Sequence, residues 1–305
     1  MAVTGPVQVH SLLTGDGIRL SYRRFQASQE AERGTIVYLH GVQSHGGWYV
    51  DAGTELARNG YTVYMPDRRG SGSSQGPRGF MRDRRQLVDD LGLFVDLARN
   101  AHPDAPLFLI GNCWGAKPAV AFALRAQEQP AGLVLLCPGV ITRVPVPKLD
   151  ALKAAVGRVI GPRWMIRLPM TPEMYTADPH YLQFIREDPL ALREATAHFC
   201  IESFLWERAL PKQRDLRLPL LVMQAGEDPI VDIEATSRWF AHLTSQDKEW
   251  RDYPTFRHTL DFEERRHEVW NDLVRWLNQR TIPHSGAQEA VPVERITTAP
   301  SQVQM

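Results

Sequence analysis

The chain has 305 residues, of which 43% are hydrophobic and 23% are charged. This composition is too apolar for a disordered chain, and the length predicts one large domain whose core needs no disulfide bonds. Thirty-five Lys and Arg residues balance 35 Asp and Glu residues, so the net charge of zero gives no general attraction for nucleic acid or an anionic membrane. We therefore expect no nucleic-acid partner, and any electrostatic role must come from a local patch.

Cysteine usage and the start of the chain favour a reducing compartment. Cys113, Cys137 and Cys200 are odd in number and form no Cys-x-x-Cys pair, so neither a disulfide framework nor a zinc site is indicated. The first residues lack a signal-peptide pattern, and no apolar run approaches the roughly 18 residues that span a bilayer. We expect a cytoplasmic protein with no metal and no organic cofactor.

The predicted elements begin with a hairpin, because two β-rich runs between residues 7 and 25 flank Asp16-Gly17. Buried-strand runs then alternate with amphipathic helical runs, which predicts an α/β protein with a mostly parallel sheet covered by helices on both faces. The predicted strands span residues 35–39, 61–65, 107–110, 133–137, 220–224 and 248–253, and the predicted helices span 48–58, 86–100, 116–127, 235–243 and 265–280. Functional residues are expected where the strands end.

One long interval interrupts this alternation. Residues 140–217 contain no strand-like run, and prolines cut their helical segments, so we predict a helical insertion between two sheet strands. The catalytic domain is then expected to comprise residues 1–139 and 218–281. The last residues, 282–305, have no periodicity and are rich in Pro, Ser, Thr and Gln, which predicts a disordered tail.

A potential nucleophile lies in the segment Gly111–Gly115, which we call the elbow. It follows a predicted strand, precedes a helix and has Cys113 at its centre. Glycine two positions before and after the apex is a steric demand of a sharp turn that lifts the apex side chain above the sheet. The helix N-terminus also favours a thiolate there. We predict that Cys113 is catalytic, whereas Cys137 and Cys200 are expected to be ordinary buried residues.

An acid and a base follow the elbow in the order that such a turn requires. Asp228 lies in the loop after the predicted strand 220–224, a better position than those of the neighbouring Glu227 and Asp232. His258 precedes the last helix, from which it can reach over the sheet. We therefore predict a triad of Cys113, His258 as the general base and Asp228 as the group that orients the base.

The oxyanion of a tetrahedral intermediate would need two backbone N–H donors. One is expected from Trp114, the residue after the nucleophile, and the other from Val42 in the loop after the predicted strand 35–39. His40, at the start of that loop, is expected to have a structural role, with its ring hydrogen-bonded to backbone.

The ordered set of motifs resembles the α/β-hydrolase superfamily and, within it, the monoacylglycerol lipase and lysophospholipase-like group of serine aminopeptidase S33 type. The resemblance covers about residues 15–280 and rests on the following motifs: His40-Gly41, Asp67-x-Arg69-Gly70-x-Gly72-x-Ser74, the elbow, Gly226-x-Asp228-x-x-Val231 and His258. It implies an α/β-hydrolase fold with a mostly parallel eight-stranded sheet. It also implies that residues 140–217 form a helical cap, or lid, that covers the active site and selects the acyl chain.

Cys113 occupies the position where this group normally has serine. A Cys–His pair can exist partly as thiolate and imidazolium before substrate binds, and its covalent intermediate is a thioester. The leading hypothesis is therefore an acyl hydrolase that acts on an ester or thioester through acyl-Cys113. The alternatives are an acyltransferase or condensing enzyme with the same intermediate and, in another class, a ligand-binding protein without catalysis.

The predicted cap has a basic segment whose partner the sequence leaves open. From Arg143 to Arg167, six basic residues and one acidic residue are interleaved with apolar ones. The segment could make weak peripheral contact with an anionic membrane, or its apolar face could pack on the catalytic domain. Lys117, after the elbow, could face solvent or line the site. The expected partner is a small-molecule acyl substrate, and the oligomeric state does not follow from the sequence.

Overall fold

The computed structural model describes residues 7–28, 32–145 and 147–281. The predicted tail, residues 282–305, lies outside the described residues. The described residues form ten strands: β1 Gln8–Leu13, β2 Arg19–Phe25, β3 Gly34–Leu39, β4 Tyr61–Pro66, β5 Leu107–Asn112, β6 Gly132–Leu136, β7 Met165–Arg167, β8 Glu194–Thr196, β9 Leu220–Ala225 and β10 Lys248–Tyr253. They also form eight α-helices: α1 Val50–Arg58, α2 Arg84–Ala101, α3 Ala116–Ala123, α4 Lys148–Ile160, α5 Pro179–Glu187, α6 Ala197–Ala209, α7 Ile233–Ala241 and α8 Arg266–Asn278.

Eight of these strands form one sheet in the order β1-β2-β4-β3-β5-β6-β9-β10. The β1–β2 and β2–β4 pairs are antiparallel, and the other five pairs are parallel. The predicted mostly parallel eight-stranded sheet with an antiparallel start is therefore confirmed. In this order β3 and β5 are direct neighbours, with Leu39 paired with Gly111, which places the loop after β3 beside the elbow.

Helices cover both faces of the sheet because successive strand side chains point to opposite sides. Within β5, Leu109 packs in the cluster that includes α2, α3 and α7, whereas Ile110 packs in the cluster that includes α1 and α8. Both side chains are fully buried. Burial of each such side chain contributes about 1.5–3 kcal/mol to the stability of the fold. The central strands therefore form a stable support for the residues at their ends.

The segment between β6 and β9 carries α4, α5 and α6, together with β7 and β8. The two strands pair antiparallel, with Ile166 opposite Ala195. The expectation that residues 140–217 contain no strand was therefore wrong in detail, because three-residue strands are too short to give a periodic signal. No helix in the described part of the chain is both long and apolar enough to cross a bilayer.

Helix α4 leaves its apolar side uncovered. Leu149 is 76% exposed and Val159 is 81% exposed, whereas only Ala154 and Gly157 of this helix are buried. Of the two alternatives that the sequence left open for this segment, packing of its apolar face on the rest of the protein does not hold for most of α4.

Candidate active site

The elbow is a sharp turn between β5 and α3, as predicted. Cys113 has φ of 51°, in the left-handed region that non-glycine residues rarely adopt. A Cβ at Gly111 would lie 2.7 Å from the Cα of Ala116, and one at Gly115 would lie 2.4 Å from the carbonyl oxygen of Leu39. Both positions therefore require glycine, because neighbouring backbone atoms leave no room for a Cβ. The turn that these glycines permit presents the Cys113 thiol to a cavity above the sheet.

Asp228 and His258 meet above the ends of β9 and β10. His258 Nδ1 lies 2.8 Å from Asp228 Oδ2, and the two side chains are 1% and 0% exposed. The other carboxylate oxygen, Oδ1, accepts the N–H groups of Ile230 and Val231 at 2.8 and 3.0 Å. Burial opposes the charged form of Asp228, but His258 and these N–H groups outweigh it and lower its pKa. The carboxylate is held as an anion against the imidazole.

The second ring nitrogen of His258 faces Cys113. Nε2 is buried and makes no hydrogen bond within the described residues. Burial lowers the pKa of His258, but the proximity of Asp228 and Cys113 outweighs it, so the pKa lies well above its ordinary value. Thiol and imidazole are thus near neighbours without a fully formed hydrogen bond, which is common for catalytic pairs before substrate binds. The structure places His258 between Cys113 and Asp228, which is the arrangement that the predicted roles of nucleophile, base and acid require.

Cys137 lies behind the acid, a contact that the sequence did not indicate. It directly follows β6, has φ of 41° and is fully buried, as expected. Its sulfur accepts the N–H of Ala225 at 3.4 Å. Burial, and then the charge of Asp228, raise the pKa of this thiol well above its ordinary value. One ligand atom each of Cys137, Asp228 and His258 lies within 4.8 Å of the others. A metal would need a deprotonated thiol and a free Asp228 oxygen, whereas this thiol is neutral and Asp228 already accepts a hydrogen bond from His258. The arrangement therefore favours a role for Cys137 in holding Asp228 over a metal site.

The loop after β3 passes directly beside the nucleophile position. A Cβ at Gly41 would lie 3.3 Å from the Cβ of Cys113. His40 shapes this loop, since its Nδ1 pairs with the carbonyl oxygen of Gly41 at 2.7 Å and its Nε2 accepts the N–H of Arg68 at 2.9 Å. Burial and the charge of Arg68 hold the pKa of His40 well below its ordinary value. Val42, in this loop, and Trp114 line the same cavity as Cys113.

Arg68 is a residue of this site that sequence reasoning missed. Its guanidinium donates to the carbonyl oxygens of Gly41 and Val42 at 3.2 and 2.9 Å, and it lies over the ring of Trp114. Burial, and then the charge of Arg78, lower the pKa of Arg68 to about 9. The Asp67–Ser74 motif indicated a turn here, but no local pattern shows which side chain of a turn will fold back over a neighbouring loop.

A cavity of about 340 Å³ opens at Cys113. Its wall is largely apolar and comes mainly from the segment between β6 and β9, including Ile166, Leu168, Met170 and Phe199. Lys117 also lines it and is only 1% exposed. Of the two alternatives that the sequence left open for Lys117, the solvent-facing one was wrong, because Ser203 and Glu207 of α6 cover the ammonium and accept hydrogen bonds from it.

A nucleophile position on a strand-to-helix turn, served by a histidine and an acid from the ends of later strands, is the arrangement of α/β-hydrolases. The protein is an enzyme of that class, of the lipase- and esterase-like type. The family model described as serine aminopeptidase, S33 (Hydrolase_4) matches residues 30–265, well over half of the chain. The chain belongs to this family.

Named relatives agree with this assignment. A phospholipase of Bacillus subtilis, YtpA, is 28% identical over 248 residues, which cover 80% of this chain and 95% of the relative. A monoacylglycerol lipase of Mycolicibacterium smegmatis is 26% identical over 277 residues, which cover 88% and 96%. The structure of a soluble variant of the Saccharomyces cerevisiae monoglyceride lipase has a TM-score of 0.79 at 21% identity, with 92% of this chain and 97% of that chain covered. It therefore shares the fold.

Proposed function

We propose that the protein hydrolyses an ester or thioester of a carboxylic acid through a covalent acyl-Cys113 intermediate. The observation that carries this proposal is the convergence of the buried Asp228–His258 pair and the apolar cavity on the Cys113 thiol. The phospholipase and monoacylglycerol lipase among the relatives support an acyl ester of a glycerol-type alcohol as the substrate class.

In the proposed reaction, the proton of the Cys113 thiol passes to His258, whose raised pKa favours the imidazolium, and the sulfur attacks the acyl carbon. The N–H groups of Val42 and Trp114 stabilise the oxyanion, and Asp228 stabilises the imidazolium. The tetrahedral intermediate collapses when the carbon–oxygen or carbon–sulfur bond breaks, and the leaving alcohol or thiol takes the proton from His258. Water then gives a proton to His258 and attacks the thioester, and the acid leaves as the thiol is restored.

Intact-protein mass spectrometry tests the proposal. Wild type is mixed with octanoyl and acetyl esters and thioesters, and the adduct is followed in time. We expect an acyl adduct that decays in buffer, is absent in Cys113→Ala and persists in Cys200→Ala, a matched control because Cys200 lines the same cavity. Acylation and turnover that survive Cys113→Ala would contradict the proposal.

The same experiment separates the alternatives. An adduct that is stable in buffer but is discharged by an added amine, thiol or alcohol would favour the acyltransferase, since thioesters are good acyl donors. The absence of both an adduct and turnover with every donor would contradict the acyl-Cys113 mechanism. For the compartment, we keep the proposal of a cytoplasmic location, which the free thiols of Cys113, Cys137 and Cys200 support.

We also propose weak contact of α4 with an anionic membrane. The exposed apolar residues Leu149, Val159 and Ile160 share this helix with the basic residues Lys148, Lys153 and Arg158. Such a combination favours insertion at a charged lipid surface. Co-sedimentation with vesicles should therefore require anionic lipid and should weaken in Leu149→Ser/Val159→Ser. Binding that is independent of anionic lipid would contradict this proposal.

A further inference from the structure

The acyl cavity contains a cluster of polar side-chain groups around the buried Lys117, and the proposed reaction does not use these side-chain groups. Lys117 donates from Nζ to Glu207 Oε1 at 2.6 Å and to Ser203 Oγ at 3.0 Å. Trp114 donates from Nε1 to the same Ser203 oxygen at 2.8 Å, and Thr142 approaches Glu207 Oε2 at 3.4 Å. All five residues line the cavity that opens at Cys113. An apolar acyl chain gains nothing from such a wall, because burying an ion pair under hydrocarbon removes its solvation.

The hydrogen-bond balance of this cluster defines what it can bind. An ammonium has three donor hydrogens, and the described residues offer two acceptors to Lys117. Ser203 accepts from both Lys117 and Trp114, so its lone pairs are occupied while its own hydrogen has no acceptor within the described residues. The cluster therefore presents two unused donors to the cavity. An oxygen that accepts two hydrogen bonds complements these donors, and a carbonyl oxygen is a neutral acceptor of this kind that carries no hydrogen of its own.

The charges of the cluster favour a neutral ligand. The ammonium of Lys117 is already paired with the carboxylate of Glu207 at 2.6 Å. A second carboxylate on the acyl chain would face Glu207 as well as Lys117, and like charges at such distances repel in a partly buried site.

We propose that Lys117 and Ser203 form a subsite for a carbonyl oxygen in the acyl chain, so that the preferred acyl group is an oxoacyl chain. This inference rests on the proposed acyl transfer to Cys113 and names its substrate class. A plain alkyl chain in the same cavity would displace water from the cluster and leave both donors without a partner, which sites built for hydrogen bonding reject strongly.

The test compares N-acetylcysteamine thioesters of octanoate and of its 3-oxo, 5-oxo and 7-oxo derivatives. We expect kcat/KM for at least one oxo derivative to exceed that for octanoyl by roughly tenfold or more. The double variant Lys117→Met/Glu207→Gln removes both charges together. In it, the ratio of kcat/KM for the oxo derivative to kcat/KM for octanoyl should fall to near one. Ser203→Ala should lower the preference in part, and the exposed Lys212→Met provides a matched control that should keep it.

Several outcomes would overturn the subsite. They are equal kcat/KM for all four chains in wild type, a preference that survives in both Lys117→Met/Glu207→Gln and Ser203→Ala, or a stronger preference for a chain that ends in a carboxylate. If the double variant does not fold, Ser203→Ala decides. A wild-type protein that is acylated at Cys113 without discrimination would refute the subsite alone, whereas a protein that no thioester acylates would refute the proposed function as well.

Discussion

Arg68 and Trp114 stack against each other, with the guanidinium carbon 4.7 Å from the centre of the Trp114 ring. The same guanidinium donates to the carbonyl oxygens of Gly41 and Val42. One side chain therefore fixes both the loop after β3 and the residue that follows Cys113, which are the two segments that carry the proposed oxyanion donors.

Replacing Arg68 with lysine should lower kcat by roughly tenfold or more and change KM less. Lysine keeps a positive charge but cannot donate to two carbonyls in a planar fork, so the donors lose orientation where charge develops in the transition state. Steady-state kinetics with an acyl thioester measure both constants. The exposed Arg125→Lys serves as the control, and an effect confined to KM, or an equal effect in the control, would contradict the proposed role.

Gly115→Ala should destabilise the fold by at least about 2 kcal/mol, because overpacked sites must shift their backbone. The new Cβ would lie 2.4 Å from the Leu39 carbonyl oxygen and 2.7 Å from that of His40. Gly92, in α2, provides the matched control, because a Cβ added there would have a Phe122 ring atom as its nearest neighbour, at 3.8 Å. Gly92→Ala should stabilise by about 0.5–1 kcal/mol through helix propensity. Urea unfolding measures both, and equal effects would refute the steric argument.

Asp188 connects the segment between β6 and β9 to the loop after β3. Its Oδ2 accepts from Trp48 Nε1 at 2.6 Å and pairs with His45 Nε2 at 3.1 Å. Burial raises the pKa of Asp188, but the hydrogen bonds of His45 and Trp48 and the N–H of Leu190 outweigh it and lower the pKa to about 2.

This depressed pKa predicts an acid-sensitive contribution to stability. Because the folded pKa lies below the ordinary value of 3.8, the contribution is complete above pH 3.8 and is lost as the pH falls toward about 2. Asp188→Asn should therefore lower the free energy of unfolding by about 1–2 kcal/mol near pH 6, and the difference from wild type should shrink in acid. Urea unfolding as a function of pH measures it, with the exposed Asp104→Asn as the control. A difference that is constant with pH would contradict the assignment.

The three thiols should differ in their rate of alkylation by iodoacetamide at pH 8, because the thiolate is the reactive form. Burial raises the pKa of Cys200 to about 11 and that of Cys137 well above its ordinary value. Cys113 faces the cavity beside His258 and should react at least about tenfold faster than either. Peptide mass spectrometry resolves the three sites. His258→Gln should slow Cys113 alone; a rate at Cys113 that this variant leaves unchanged would argue against the thiol–imidazole pair.

Much of the site was predictable from sequence because it follows from a recognisable turn motif and from the order of strands and helices. The turn at Cys113 demands Gly111, which lies against the backbone of Ala116, and Gly115, which lies against the carbonyl oxygen of Leu39 at the end of β3. The positions of Asp228 and His258 follow from the alternation of strands and helices, since parallel strands bring their carboxyl ends to one edge.

The contacts that sequence reasoning missed join segments that are distant in the chain. Arg68 reaches the loop after β3, Cys137 reaches Asp228, and Lys117 pairs with Glu207, 90 positions further along the chain. No periodicity or turn signal encodes such contacts. The short β7 and β8 were missed for a related reason, because they exist only through their pairing with each other.

The pairing of Leu39 with Gly111 joins β3 and β5 in one hydrogen-bonded ladder, and the two strands deliver Val42 and Trp114 to the same spot. Adjacent strands lie about 4.8 Å apart whatever side chains they carry. Backbone pairing between β3 and β5 therefore sets the distance between the two proposed oxyanion donors. Substitutions in the cavity wall can then change the substrate preference without changing the positions of the N–H donors that stabilise the oxyanion.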